Sequence, residues 1–496
     1  MLKNLSFDEF ERRAASGGRL AVYREYLADR ETPVSVLSRV ADDDMVFLLE
    51  SVTGGEQRGR WSFLGIDPAA TVLQEKGGTR IVRADGTSEN MPGRDALGVL
   101  REMLSAKPYT AAPELPPLQG GAVGFASYDI VGTFEPHVKL TGESGTPEAA
   151  FMITDTLAVF DNVRQTVLVA EIVDPSKFNS PREAYDAAIR RIEAIYNRLL
   201  SAESIARCVE RNPKHGGTAS SSFVPEMTEA EFTGIVEKCK DAIRAGECIQ
   251  IVPSQKFTME TDVSGLALYR ALRMVNPSPY NFFMKFGDRT LIGSSPEELV
   301  KLEGRVASTA PIAGTRPRGS TRQADKDMEA DLLSDAKERA EHVMLVDLGR
   351  NDLGRVSDPG TVKVVSFANV ERYSHVMHLV SHVQGRLEDG RDCFDLLRAA
   401  FPAGTLTGAP KIRAMQLISE FEKSPRGIYG GAAGYFSNTG DMDFAIVIRT
   451  MILKGNVLTM RAGAGIVADS DPAKEYQETV NKSKAVFEAV RFAETL

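Results

Sequence analysis

Two stretches rich in helix-forming residues each carry glutamates three apart: Glu338 and Glu341 in one, Glu475 and Glu478 in the other. On a helix this spacing places both carboxylates of a pair on one face. Lys482 shares the face of Glu475 and Glu478, so a solvated Glu478–Lys482 pair accounts for that helix taken alone. The sharper chemistry needs both helices together. One glutamate from each would hold Mg²⁺ through oxygen ligands, with the others standing behind them. So few carboxylates leave the shell of a hard cation to be completed by water and an anionic substrate.

Groups suited to anions accompany them. Arg449 ends the apolar run 444–448, and a guanidinium among buried residues needs a carboxylate or phosphate partner, from the protein or from a ligand. Gly314, Gly463 and Gly465 could bring backbone N–H groups close to an anion, or serve simple turns. Ser295-Pro296-Glu297-Glu298 has the form of a helix start, where Glu297 would complement the dipole.

Three other constellations resemble known chemistry and fail on geometry. His375, His378 and His382 suggest zinc, but residues 375–383 alternate like a strand, which would put His378 and His382 roughly 13 Å apart. Residues 463–468 match a loose dinucleotide pattern, yet the helix expected after them begins only at Pro472. Residues 404–411 echo a phosphate loop with the wrong glycine-to-lysine spacing.

The elements that must position these residues read as mixed strands and helices. Thr32-Pro33 starts a short helix, residues 45–49 form a buried strand, and residues 60–65 are its hairpin partner across the loop 54–57. A glycine-rich strand follows at 120–125. Residues 211–222 have almost nothing to pack, which divides the chain into an N-terminal region (1–210), a linker (211–222) and a second region (223–496). After the linker, one helix is expected over about 323–350 and another from Pro472 to about Arg491. Strand-like stretches at 375–384, 428–437, 444–453 and 457–463 lie between them. The expected class is α+β, a composite fold with large antiparallel sheets flanked by helices.

Composition narrows the function. The 496 residues are 43% hydrophobic and 26% charged, as in an ordinary globular protein. Lys+Arg 59 against Asp+Glu 68 gives a net charge of −9, which argues against a nucleic-acid binder. No apolar run is long enough to span a bilayer, and the acidic start lacks the apolar core of a secretory signal. The four cysteines form no Cys-x-x-Cys pair and no disulfide framework, so the expected setting is reduced and cytoplasmic.

Longer runs carry a resemblance. They include Asn276-Pro277-Ser278-Pro279-Tyr280, Gly293-Ser294-Ser295-Pro296-Glu297, the segment 311–319 beginning Pro311-Ile312-Ala313-Gly314-Thr315, and the segment 341–352 from Glu341 to Asp352. Residues 402–411, Tyr429-Gly430-Gly431 and 462–467 continue the series in order, and 48–51, 61–65 and 120–129 add a thinner match. In these runs the chain resembles the chorismate-utilising enzymes, and among them the anthranilate synthase component I branch.

The resemblance implies that Glu341 and Glu478 bind Mg²⁺, with Glu338 and Glu475 behind them, and that the ion meets the ring carboxylate of chorismate. It implies that Gly314, Thr315, Tyr429, Arg449, Gly463, Ala464, Gly465 and Lys482 hold the substrate's carboxylates. Glu297 would be the general acid for the departing hydroxyl, protonated through burial. His378 would serve the later loss of pyruvate. Aminodeoxychorismate synthases typically have a lysine nucleophile where Ala313 stands, and isochorismate synthases a water-activating lysine where Gln250 stands. Both differences favour ammonia as the nucleophile. The alternatives are an aminodeoxychorismate synthase component I and a non-catalytic tryptophan- or chorismate-binding regulator, which would require loss of catalytic groups, whereas Glu297, Glu341, His378 and Glu478 are all present. Cys248 lacks the glycine elbow of a glutaminase, so a separate glutamine amidotransferase subunit (component II) is expected in a hetero-oligomer. Tryptophan feedback is implied too, through Ser51, Pro279, Tyr280 and Asn281; the family commonly has an apolar residue where Asn281 stands.

Overall fold

The computed structural model describes residues 2–51, 59–200, 223–372 and 376–496. The loop 54–57, the linker 211–222, Cys208 and His375 lie outside them.

The elements that position the site are β1 (Met45–Glu50), β2 (Gly121–Ala126), β3 (Tyr280–Phe286), β4 (Arg289–Ser295), β5 (Glu298–Glu303), β6 (Ile312–Pro317), β7 (Val376–Arg386), β8 (Ala432–Ser437), β9 (Met442–Ile446), β10 (Thr450–Lys454) and β11 (Val457–Gly463). With them stand three helices, α1 (Arg322–Ser334), α2 (Ala336–Gly354) and α3 (Pro472–Ala493). The class is α+β, as expected. Two sheets of twelve strands each dominate the described residues. Their pairings are antiparallel except for the short contact of Arg19 and Leu20 with Tyr109 and Thr110.

Each sheet is assembled from both ends of the chain. In the first, strands after residue 223 occupy one end and strands before residue 200 the other, and they join where β1 pairs β3, Glu50 opposite Asn281. In the second, the join is β2 with β8, Gly124 opposite Gly434. A Cβ on Gly124 would lie 2.0 Å from the Ala150 carbonyl and one on Gly434 2.0 Å from the Asp443 carbonyl, so each strand needs glycine against its other neighbour. Phe47, Phe125, Phe282, Met284 and Tyr435 fill one shared buried cluster drawn from the two sheets.

Three local expectations are corrected. Residues 323–350 are two helices, because the Asp335 carboxylate accepts from the N–H groups of Lys337 and Glu338 and starts α2 afresh. Ser295-Pro296-Glu297-Glu298 starts no helix. Ser295 Oγ accepts from the Glu297 N–H at 3.3 Å, as a cap would, but the chain then enters β5, where Val300, Lys301 and Leu302 pair with Phe444, Asp443 and Met442 of β9. The run 444–453 is two strands in different sheets, β9 ending at Ile446 and β10 beginning at Thr450. Arg449 therefore belongs to a crossover, with a left-handed backbone at φ 51°.

Candidate active site

That crossover has a twin. β4 lies in the first sheet and β5 in the second, so residues 295–298 also pass between sheets, and Glu297 rides on them. The two passages run side by side, the Ile446 N–H donating to the Glu297 carbonyl at 3.0 Å. Glu297 and Arg449 thereby reach one cavity of about 570 Å³. A left-handed arginine is strained backbone, of the kind that collects at functional sites.

β6 and β7 supply the next wall. Their register slips between Ala313 and Thr315, and Gly314 at that bulge has φ 63°. A Cβ there would sit 2.9 Å from Leu332 and 3.3 Å from the Glu338 carboxylate. His378 Nδ1 lies 3.0 Å from both the Gly314 carbonyl and Thr315 Oγ1. With the Nδ1 proton given to that carbonyl, the basic nitrogen is Nε2; burial lowers the imidazole's pKa, so it is neutral at physiological pH. β7 is the strand the alternation predicted, with His378 and His382 both on it.

The carboxylates come from the two helices. Glu338, Glu341, Glu475 and Glu478 all line the same cavity. Glu338 is raised by burial and by the charge of Glu341, and Glu475 by burial and by Glu478, against Ser470. Gln250 Nε2 donates to Glu341 at 3.1 Å, and Lys482 pairs with Glu478 at 2.6 Å while donating to the Gly463 carbonyl at 2.9 Å. Among the described residues no three His, Cys, Asp or Glu side chains converge as a complete metal cage. Two glutamate pairs on one cavity, Glu338–Glu341 and Glu475–Glu478, are oxygen donors of the kind a hard cation takes when water and substrate complete its shell.

Tyr429, Gly463, Gly465 and Lys482 complete the cationic and polar side facing Arg449. A Cβ on Gly463 would fall 2.9 Å from the Tyr429 hydroxyl. Ala464 is the exception. Its N–H donates to the Pro253 carbonyl, and its side chain is buried outside the cavity. Glu297 is held in a dry place: burial raises its carboxyl to about 7 against the opposing Thr405 hydroxyl and Lys482 charge. The cavity thus gathers carboxylates and donors on one lining, with a carboxylic acid among them.

The profile of chorismate binding enzymes matches residues 45–488. The chain belongs to that family. The chorismate-binding chain is 44% identical to anthranilate synthase component 1 of Pseudomonas aeruginosa, covering 98% of this chain and 99% of the relative. It is 45% identical to the protein of the same name from Neisseria meningitidis serogroup B, over 99% of both. Among solved structures it is similar to anthranilate synthase component I from Streptococcus pneumoniae, with TM-score 0.74 and 38% identity over 88% of this chain and 94% of that one. The menaquinone-specific isochorismate synthase of Escherichia coli shares the fold, with TM-score 0.70 and 20% identity over 96% of this chain and 95% of that one.

A second cavity, of about 380 Å³, lies between the two sheets. Ser51, Pro279, Tyr280 and Asn281 all line it. The Asn281 amide donates to the Ser278 carbonyl at 2.7 Å and its carbonyl accepts from Ser294 at 2.7 Å. Pro296 and Ile312 line both cavities. Sequence reasoning missed Glu298 and Asp443, which add acid to this pocket; Asp443, a charge between the apolar Met442 and Phe444, was the available signal. It also left Thr405 unassigned inside the matching run 402–411.

Proposed function

We propose that this chain is the chorismate-aminating component of an anthranilate synthase, converting chorismate and ammonia to anthranilate, pyruvate and water in the cytoplasm as the first step of tryptophan biosynthesis. The observation that carries the reading is Glu297, a carboxyl held protonated to about pH 7 in the same cavity as Arg449 and four glutamates.

Chorismate carries two carboxylates, and the cavity lining offers groups suited to both. Arg449, Tyr429, Lys482 and the Gly314 and Gly465 backbone would take one by charge-assisted hydrogen bonds. Glu341 and Glu478 would hold Mg²⁺ for the ring carboxylate, with Glu338 and Glu475 behind them; the ion would neutralise that end and fix its position. Ammonia attacks the ring while Glu297 gives its proton to the departing hydroxyl, which leaves as water. Neutral His378 would accept the ring proton lost as pyruvate leaves and the ring becomes aromatic.

Ammonia is favoured over competing nucleophiles by what stands beside it. Ala313 has no amine to attack the ring, and Gln250 cannot deprotonate water. The three described cysteines are buried, and Cys248 is pushed up to about 11, unsuited to a glutaminase nucleophile. Ammonia would come from a glutamine amidotransferase partner. The inter-sheet cavity, with Trp61 and Phe63 in its wall, suits tryptophan as inhibitor.

The test is chorismate, MgCl₂ and an ammonium salt, followed by anthranilate fluorescence. A 4-amino product without that fluorescence would point to an aminodeoxychorismate synthase, and no consumption of chorismate would overturn the reading.

A further inference from the structure

Glu297 gives up a proton in every cycle and must regain one, and the main cavity is then filled with product. A third cavity, small at about 40 Å³, lies on its other side. Glu297 and Thr405 line both this space and the main cavity, so they form the partition between them. Leu345 belongs to that partition too, since it lines both spaces, and the wall beyond is made by Leu348, Gly349 and Asp352 of α2 with Ala403 and Gly404. Leu348, Gly349 and Gly404 in that wall are only partly buried, so the space approaches the surface there. The volume suffices for about one water molecule, which needs some ~10–15 Å³ of such space and two to four polar partners.

Those partners are present at both ends. Inside are the Glu297 carboxyl and the Thr405 hydroxyl. On the α2 side is Asp352, itself only 8% exposed and held by Lys411 at 2.8 and 2.9 Å, with Lys411 also donating to the Ala400 carbonyl at 3.2 Å. Between them the wall is mostly apolar, with Leu299, Leu345, Leu348 and Ala403, and Glu298 and Thr309 add polar lining. Polar groups along a water-sized space can relay a proton through one bridging water.

We propose that the cavity beneath α2 holds a water that recharges Glu297 with a proton from the Asp352–Lys411 side while the main cavity is occupied. The inference rests on the proposed function, since it needs Glu297 to act as the acid. The balance is simple. Glu297–COOH becomes carboxylate as the ring C–O bond breaks and water departs. A proton then passes from solvent to the cavity water, and the water's own proton passes to the carboxylate, restoring the acid. The proton released by the incoming nitrogen leaves through the main cavity, so no net proton accumulates.

The experiment compares the first turnover with the steady state by stopped-flow anthranilate fluorescence, using saturating chorismate, Mg²⁺ and ammonium. Leu348→Phe fills the cavity, and Asp352→Asn alters its outer end without filling it. Glu297 starts protonated in both variants. The expected result is a burst of about one anthranilate per site at a rate within twofold of the wild type, then a steady state slowed about tenfold. If burst and steady state slow together, the residues only support the fold of the site; if neither changes, protons reach Glu297 another way. Either result overturns the inference. A wild type that makes no anthranilate would instead overturn the proposed function.

Discussion

Glu297 couples chemistry to stability, and the sign can be worked out. Its pKa is raised from 4.5 to about 7 by burial, so the folded protein binds a proton there more tightly than the unfolded chain. Below about 4.5 the group is neutral in both states and costs nothing; as pH rises through about 7 the folded state must bury a charge, a penalty on the order of 3 kcal/mol. Glu297→Gln should abolish anthranilate formation yet raise Tm at pH 8 and leave it unchanged at pH 4.5; calorimetry at the two pH values checks this. Catalysis follows the same group, so kcat should fall as pH rises past about 7, with a steady-state pH profile as the readout. Glu478→Ala should remove turnover while the protein still melts cooperatively; retained activity would remove Glu478 from the metal set. Chelation with EDTA should silence the wild type, and Mg²⁺ should restore it.

At the scale of elements, the break between α1 and α2 matters more than the continuous helix that the composition suggested. Helix propensity is high throughout 322–354, and nothing in a propensity sum marks Asp335 as a stop. The mark is tertiary: Arg316 on β6 reaches Asp331 at 2.5 Å and Asp335 at 2.7 Å, and the freed carboxylate oxygen caps α2. Asp335→Ala should cost about 1 kcal/mol as a lost cap. It should also weaken Mg²⁺ binding measured by titration calorimetry, because the first turn of α2 carries Glu338 and leads to Glu341. Binding unchanged beside a lowered Tm would separate the cap from the site. The strands were readable where an apolar run was short and continuous, as in β1, or alternated, as in β7, and the glutamate pairs where helical spacing was kept. The crossovers were not, because residues 295–298 and 446–450 read equally well as caps or continuing strand until the two sheets stand beside each other.

At the scale of the molecule, the two cavities share Pro296 and Ile312, so a ligand between the sheets presses on the segment that carries Glu297. Tryptophan at a hundredfold excess over its Kd should stabilise the fold by about 2.7 kcal/mol, seen as a rise in Tm. Asn281→Met should alter the concentration of tryptophan that half-inhibits anthranilate synthesis while leaving uninhibited kcat near that of the wild type; an unmoved midpoint would take Asn281 out of effector binding. The joined sheets have a further consequence, for birth rather than catalysis. Arg19 meets Asn438, 419 residues downstream, and β1, though it has its hairpin partner at 61–66 at once, keeps its other edge open until β3 is made. At about 5–20 residues per second, a ribosome leaves the earliest strands without their late partners for roughly 20–80 s. Throughout that interval the apolar edges of the nascent chain stand open to strangers, so yield in the cell is governed by whatever shelters them until the last fifth of the polypeptide emerges.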